Sequence, residues 1–210
     1  MKLYDQPASG NCLKARILLR QLGLDYETVV IDLFRGETRT PEHFARHPDG
    51  RVPVLELDDG RTIPESGAIL LYLADGTPLL PADRVARAHV HARMFFEQNR
   101  IEATIAFARF AAATGRDRDA PERFAHLARR ARAALETVER GLADGRPFIV
   151  GDAYTVADIA LYAYAHMGAD IGAPAREHEH VAAWLDRVEA TDRFVNDLAA
   201  FPEHVTAGRS

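Results

Sequence analysis

Residues 51–73 read RVPVLELDDGRTIPESGAILLYL and hold two apolar stretches, VPVLEL and ILLYL, with the turn signature DDG after the first. This pattern predicts a β-hairpin with a first strand at residues 52–57 and a short second strand at residues 61–63. Pro64 is expected to end the second strand, because proline has no N–H group to continue a ladder.

The residues after the hairpin predict the start of a helix. Ser66 can take the capping position, and Glu65 brings negative charge to the positive end of the helix dipole. Val52-Pro53 enters the first strand, and an X-Pro bond is one of the few places where a cis peptide is energetically accessible. A cis bond there would turn the Val52 N–H and C=O out of the sheet, towards the helix that starts at Ser66. The two groups could then pair with a peptide-like ligand.

A strand entered by Val-Pro, a hairpin and Glu-Ser at a helix start resemble the glutathione-binding half of the glutathione transferase family. The resemblance implies that glutathione is the co-substrate. Val52, beside Pro53, would pair with the cysteinyl backbone of glutathione, and Glu65 and Ser66 would hold its γ-glutamyl end.

The N-terminal part of the chain predicts β-α-β followed by β-β-α, the order of a thioredoxin-like α/β domain. Residues 1–5 and the β-branched segment 25–33 predict strands, and helical spacing of apolar residues predicts a helix over 11–22. Residues 34–50 predict a loop with one short helix near 42–46. A parallel pair of strands joined through a helix is expected to have a right-handed crossover.

After the segment GTPLLPA, residues 76–82, the pattern changes to helices alone. We therefore place a thioredoxin-like domain at 1–77 and an all-α helical bundle at 84–210. Thr155 and Asp158 predict a capping box that starts one of its helices. The predicted helices cover residues 84–114 (interrupted near 99–104), 121–142, 151–167, 180–191 and 193–198.

Three residues at the first helix could act on the glutathione thiol, which must become a thiolate to attack an electrophile. Ser9 lies in PASGNC, similar to the Pro-x-Ser-x-x-Cys pattern of serine-type transferases. Alone it predicts a helix cap; with the hairpin signals it favours a thiol partner, and the two roles are compatible. Asn11, an amide donor on the first turn, is its rival. Cys12 is predicted to be buried packing, the alternative being a mixed disulfide with glutathione.

The anchor for the glycine carboxylate of glutathione stays open. Arg51 precedes the Val-Pro bond, where family members often have a polar or basic residue, and Arg39 and Thr38 are further candidates. The serine-type pattern often has histidine at the positions of Thr38 and Gly50, which this chain lacks.

Other site classes find little support. His43 and His47 stand four residues apart, but no third ligand is evident, so we expect no metal and predict that both are solvated, like the run His178-Glu179-His180. The net charge of −5 argues against a nucleic-acid partner. No apolar run is long enough for a bilayer and no signal-peptide core follows Met1, so we expect a cytoplasmic protein without a membrane partner.

The leading prediction is therefore a glutathione transferase that activates the glutathione thiol for attack on a small hydrophobic electrophile, by conjugation or glutathione-dependent reduction. The resemblance also implies a homodimer. One alternative is a non-catalytic, transferase-like binding or regulatory protein. Another is a glutathione-dependent isomerase or dehalogenase.

Overall fold

The computed structural model describes residues 1–202 and residue 205. The chain divides into two compact units. The first consists of Met1–Asp75 and Asp192–Ala200, and the second of Gly76–Thr191 and Phe201–Ser210.

The first unit is a four-stranded sheet with helices, in the predicted thioredoxin-like order. Its elements are β1 (Lys2–Asp5), α1 (Gly10–Gln21), β2 (Glu27–Val30), α2 (Pro41–Arg46), β3 (Val54–Glu56), β4 (Thr62–Pro64) and α3 (Ser66–Ala74). The strand order is β2-β1-β3-β4, with β1 and β2 parallel and the other two pairs antiparallel. The parallel pair requires a crossover, which α1 supplies. Leu3 and Leu55 from the sheet, and Leu13, Ile17, Ile69 and Leu70 from the helices, form its buried core.

Strands β1, β2 and β3 are shorter than predicted, and β4 lies one residue later than predicted. The segment predicted as a strand to residue 33 leaves the sheet at Val30, because the Asp32 side chain accepts the N–H groups of Phe34 and Arg35 and starts a 3-10 turn. Pro64 was expected to lie beyond β4, yet it pairs with Val54. This is possible because β4 is an edge strand, where a missing N–H breaks no ladder.

The regular elements of the described second unit are helical, as predicted. They are α4 (Arg84–Phe96), α5 (Ala103–Thr114), α6 (Arg116–Asp119), α7 (Pro121–Leu142), α8 (Val156–Ala165) and α9 (Glu179–Glu189). The interruption predicted near 99–104 is a π-helical segment, Glu97–Glu102, between α4 and α5. No helix of the described residues is both long enough and apolar enough to cross a bilayer.

The capping box at the start of α8 is confirmed. Thr155 is the N-cap, and the Asp158 carboxylate accepts the Thr155 N–H at 2.9 Å. Asp158 also accepts the Ile149 N–H at 2.8 Å and the Trp184 Nε1–H at 3.0 Å. One buried carboxylate therefore ties α8 to α9 and to the preceding loop.

One sequence prediction near the end of the chain is wrong. Residues 193–198 do not form a helix, because Arg193 adopts a φ of 52°; this left-handed backbone interrupts a right-handed helix. The His180 side chain is 40% exposed, in agreement with the prediction that it is solvated, and its Nδ1 also lies 2.7 Å from the Glu139 carboxylate.

Candidate active site

Ser9 lies in the loop between β1 and α1 and caps the helix. Its backbone is extended, with φ of −87° and ψ of 124°, and its Oγ accepts the Cys12 N–H at 3.3 Å. The helix-cap role is therefore confirmed. Because the oxygen is the acceptor in this bond, the hydroxyl proton is left for donation to a ligand.

A hydrogen bond joins the first turns of α1 and α3. Ser66 Oγ donates to Asn11 Oδ1 at 3.1 Å, and Ser66 is only 5% exposed. The N-termini of the two helices therefore meet next to Ser9. Each helix N-terminus carries unsatisfied N–H groups and about half a positive charge. Their meeting point favours an anion such as a carboxylate or a thiolate.

The predicted capping role of Ser66 is wrong by one position. Glu65 occupies the N-cap without a side-chain cap bond, and Ser66 is the first helical residue. Glu65 has φ of 70°, an uncommon backbone for a residue with a side chain, and such residues cluster at ligand sites. The Glu65 side chain is 60% exposed, so its carboxylate can meet a ligand at the start of α3.

The Val52-Pro53 peptide bond is cis, as predicted. Val52 precedes β3, which begins at Val54. Within residues 1–202 and 205 the Val52 N–H and C=O make no hydrogen bond. Both groups can therefore pair with the extended backbone of a ligand.

The prediction that His43 and His47 are solvated is wrong, since they are 1% and 3% exposed. His43 Nε2 lies 2.8 Å from the Arg51 carbonyl oxygen, and His47 Nδ1 accepts the Asp49 N–H at 3.2 Å. The two imidazoles thus fix the loop that leads from α2 to Val52. Their i, i+4 spacing is also the spacing of residues on a buried helix face.

His47 also faces the Glu65 carboxylate, with its Nε2 3.7 Å from Oε1. Because Nδ1 accepts the Asp49 N–H, the neutral ring carries its proton on Nε2, on the side of Glu65. Burial lowers the pKa of His47, and the nearby Glu65 and Asp49 carboxylates only partly offset this. The buried His47 is therefore neutral, and its Nε2–H group faces the Glu65 carboxylate.

The three candidate carboxylate anchors differ in exposure. Thr38 is 4% exposed and is unsuited to meeting a ligand. Arg39 is exposed and donates to the Asp49 carbonyl at 3.2 Å. Arg51 is exposed, and its guanidinium makes neither a hydrogen bond nor an ion pair within the part of the chain that the structure describes. Arg51 is thus the better placed of the two cations.

The backbone at Gly50, directly before Arg51, leaves no room for a side chain. Its φ is +58°, and a Cβ there would come within 2.6 Å of the Thr38 carbonyl oxygen and 2.9 Å of the Phe44 ring. Any larger residue would displace the loop. The histidine of the serine-type pattern could not stand here without a different backbone.

Both parts of the chain match known family models. Residues 8–75 match the glutathione S-transferase N-terminal domain, and residues 96–192 match the glutathione S-transferase C-terminal domain. The chain belongs to the glutathione S-transferase family. This result agrees with the resemblance carried by Val52-Pro53 and Glu65-Ser66.

Relatives of this chain include enzymes with different names. Glutathione S-transferase GstA from Escherichia coli O157:H7 is 31% identical over 204 residues, covering 95% of this chain and 98% of that protein. Maleylacetoacetate isomerase from Rhizobium meliloti is 45% identical over 93 residues, covering 43% of this chain. In the second match the chain spans only 43% of the isomerase's length.

Solved structures of the family share the fold. A glutathione S-transferase from Pseudomonas fluorescens Pf-5 has a TM-score of 0.90 and 40% identity, covering 94% of this chain and 98% of that one. A glutathione transferase family member from the same organism, with two glutathione bound, has a TM-score of 0.80 and 26% identity, covering 94% and 91%. The family therefore includes a glutathione-bound relative of this fold.

Cys12 is fully buried, as predicted. Its Sγ accepts the Gln6 N–H at 3.3 Å. Burial, followed by the nearby Asp5 carboxylate, raises the pKa of the Cys12 thiol. A thiol that stays protonated and inaccessible is a poor nucleophile, so the geometry supports packing and not a mixed disulfide. Within the described residues, no cluster of histidine, cysteine and carboxylate side chains is arranged to hold a metal ion.

Proposed function

We propose that the protein is a glutathione transferase that binds glutathione in its first unit and presents the thiol as a thiolate to a hydrophobic electrophile. The observation that carries this proposal is the Ser66–Asn11 hydrogen bond, which brings the N-termini of α1 and α3 together beside Ser9. Such a junction stabilises both a carboxylate and a thiolate. The glutathione-bound relative of the same fold supports the choice of ligand.

In this proposal Ser9 donates its hydroxyl proton to the thiolate, at the positive end of α1. A charge-assisted hydrogen bond of this kind favours thiolate over thiol by about 1.5–3 kcal/mol. Asn11 is the alternative donor, through its side-chain amide. Its Oδ1 already accepts a hydrogen bond from Ser66 Oγ.

The remaining groups would hold the rest of glutathione. The exposed Glu65 carboxylate pairs with the α-ammonium of the γ-glutamyl end, and Ser66 lies beside the N–H groups that meet its carboxylate. The unpaired N–H and C=O of Val52, next to Pro53, pair with the cysteinyl backbone. Arg51 meets the glycine carboxylate.

The second unit offers apolar surface for the electrophile. Phe95 on α4 is 72% exposed and Phe107 on α5 is 58% exposed. Exposed apolar surface can mark a ligand-binding site where it forms a contiguous patch, and these two side chains are our candidates for one. We propose that the co-substrate is a small hydrophobic electrophile for this reason.

Glutathione-dependent isomerisation is the second candidate function. The 45% identity over 93 residues to maleylacetoacetate isomerase favours it. The same thiolate would serve both reactions, since adding and then eliminating the thiol can isomerise a double bond. Ser9 and Glu65 would keep their roles.

The test is an assay of purified protein with glutathione against aryl halides, epoxides and enones, with maleylacetoacetate as the isomerase substrate. We expect turnover of at least one conjugation substrate, reduced on the order of tenfold or more in Ser9→Ala. Turnover of maleylacetoacetate alone would select the isomerase. Glutathione binding without turnover of any substrate would select a non-catalytic binding protein.

We also propose that the protein is a cytoplasmic homodimer, as the family resemblance implies. Its single cysteine is buried, which fits a reducing compartment. Sedimentation at micromolar concentration tests the assembly. A monomer there would contradict the proposal.

A further inference from the structure

Residues 192–200, which we call the strap, belong to the first unit although they follow the last helix of the second. The strap contacts α1 and the loops at both of its ends. The path from Arg193 to Ala199 covers six residue steps, and six residues of extended chain can span about 20 Å. Helix α1 has 12 residues and is therefore about 18 Å long. The strap is long enough to run the whole length of the helix.

The first contact lies beyond the C-terminal end of α1. Gly23, with φ of +65°, follows the helix, and a Cβ at this position would collide with the Arg193 guanidinium. The Arg193 side chain therefore lies directly over Gly23. A cation beyond the C-terminus of a helix is favoured by the helix dipole.

The second contact is an ion pair along the helix. Arg16 is 5% exposed, and its Nε donates to Asp197 Oδ1 at 2.7 Å. Its Nη1 donates to both Asp5 oxygens, at 2.7 and 3.0 Å, and its Nη2 to the Pro7 carbonyl at 3.2 Å. One guanidinium thus joins the strap, strand β1 and the loop before α1.

The third contact is on that loop itself. The Ala199 N–H donates to the Pro7 carbonyl at 3.1 Å, so this carbonyl accepts from both Arg16 and the strap. Two residues further on, the Ser9 N–H donates to the Gln6 carbonyl at 2.8 Å. The position of Ser9 is therefore set by a short loop whose middle carbonyl is held by the strap.

We infer that the strap positions Ser9 for the thiol, with Asp197 as a positioning residue that acts through Arg16 and Pro7. The inference rests on the proposed function, in which Ser9 donates to the thiolate. A donor must keep its place within about half an ångström for its bond to the reacting atom to retain full strength. Fixing the Pro7 carbonyl from two sides supplies this precision. The strap itself touches neither glutathione nor the electrophile in this scheme.

The test compares Asp197→Ala with the matched control Asp192→Ala. Both aspartates lie in the strap, and the Asp192 side chain is 95% exposed, with only an ion pair to Arg193 at 3.7 Å. Losing one hydrogen bond to a charged partner and loosening the loop should raise the acid-limb pKa of kcat/KM. We expect rates about three- to tenfold lower below that pKa, with the KM for glutathione little changed. The control should follow wild type.

Hydrogen exchange gives a second readout that needs no turnover. In Asp197→Ala, or in the milder Asp197→Asn if the first does not fold, the amides of residues 8–10 should exchange faster than the other amides of the first unit. A variant that only lowers global stability accelerates all protected amides together. An acid limb and an exchange pattern equal to those of Asp192→Ala would overturn the inference.

The thiol pKa of glutathione bound to wild type separates this result from a failure of the proposed function. It is read from the ultraviolet absorbance of the thiolate. If wild type does not lower the thiol pKa, the proposed function fails. If wild type lowers it and Asp197→Ala lowers it equally, the proposed function stands and the strap inference is wrong.

Discussion

Ser66 Oγ donates to Asn11 Oδ1 at 3.1 Å, across the gap between the first turns of α3 and α1. This bond occupies one of the two acceptor positions of the Asn11 carbonyl oxygen. It also places the residues proposed to hold the γ-glutamyl end of glutathione, at the start of α3, next to those proposed to hold the thiol, at the start of α1. Substitutions at the two helix starts therefore report on different parts of glutathione.

Replacing both Glu65 and Ser66 by alanine should abolish measurable glutathione binding by calorimetry. The variant loses the carboxylate for the ligand ammonium and the hydroxyl that orders Asn11. A charged hydrogen bond and a neutral one are together worth about 2–4 kcal/mol, or a loss of affinity of about 30- to 1000-fold. Glu27→Ala, at an exposed position on β2, is the control. Equal uptake by wild type and the double variant would refute the assignment.

Ser9→Ala should raise the pKa of the bound thiol and slow conjugation near neutral pH. Losing a charge-assisted hydrogen bond of about 1.5–3 kcal/mol corresponds to about one to two pKa units, and so to a rate loss on the order of tenfold or more. Glutathione affinity should be largely kept. The measurement is the pH dependence of kcat/KM with one good electrophile.

Asn11→Ala and Cys12→Ala are the comparisons for that experiment. If Asn11→Ala shifts the acid limb while Ser9→Ala does not, Asn11 holds the thiol and Ser9 is only a cap. Cys12→Ala should change the profile little, because its buried thiol packs against the loop.

Arg51→Ala should weaken the binding of glutathione by about tenfold, the loss of one exposed charge-assisted contact. The reason is the missing partner for the glycine carboxylate. A glutathione ester blocked at that carboxylate should bind wild type and Arg51→Ala alike. Arg39→Ala is the matched control, since Arg39 is equally exposed but already donates to the Asp49 carbonyl. The reverse pattern would assign the anchor to Arg39.

His47 should make the protein less stable as the pH falls. Burial lowers the pKa of His47 in the folded protein, so below its ordinary value of about 6.5 the unfolded chain binds the proton more readily. The free energy of unfolding contributed by this group is therefore full above that pH and is lost towards lower pH. His47→Asn should flatten the decline between neutral and mildly acidic pH in urea titrations, with His126→Asn, at an exposed position, as control. An unchanged slope would contradict this account.

Asp158→Ala should prevent the second unit from folding stably. It leaves the Ile149 and Thr155 N–H groups and the Trp184 Nε1–H without their buried acceptor. At about 1–3 kcal/mol each, these losses approach the total stability of about 5–15 kcal/mol of a typical domain. Thr155→Ala removes the cap on the Ala157 N–H and one hydrogen bond to Asp158, and should cost about 2 kcal/mol. Urea unfolding of both variants measures the difference.

Local sequence signals predicted most of the fold. The Asp-Asp-Gly turn, the cis bond before Pro53 and the capping box of Thr155 and Asp158 depend on residues close together in the chain. Their physical requirements can therefore be recognised in the sequence. The helices of the second unit could be predicted from the spacing of their apolar residues for the same reason.

The structural features that the sequence did not predict depend on contacts between residues far apart in the chain. His43 and His47 are buried by the loop that returns to Val52, and nothing in their spacing distinguishes this from a solvated face. Ser66 looked like a cap because serine usually caps; its bond to Asn11, 55 residues away, decides otherwise. Residues 193–198 have helical composition, but one left-handed residue at Arg193 redirects the chain.

The discontinuity of the first unit bears on how the chain folds as it is synthesised. Asp5 and Arg16 leave the ribosome early, whereas Asp197 follows only after α4 to α9 have been translated. Until then the Arg16 Nε–H has to be satisfied by water, and the Pro7 carbonyl lacks its bond from Ala199. The nascent sheet can form, but its first loop cannot reach its final state. The loop that holds Ser9 is therefore completed only when nearly the whole chain has been synthesised. A chain released earlier lacks the bonds from Asp197 to Arg16 and from Ala199 to Pro7.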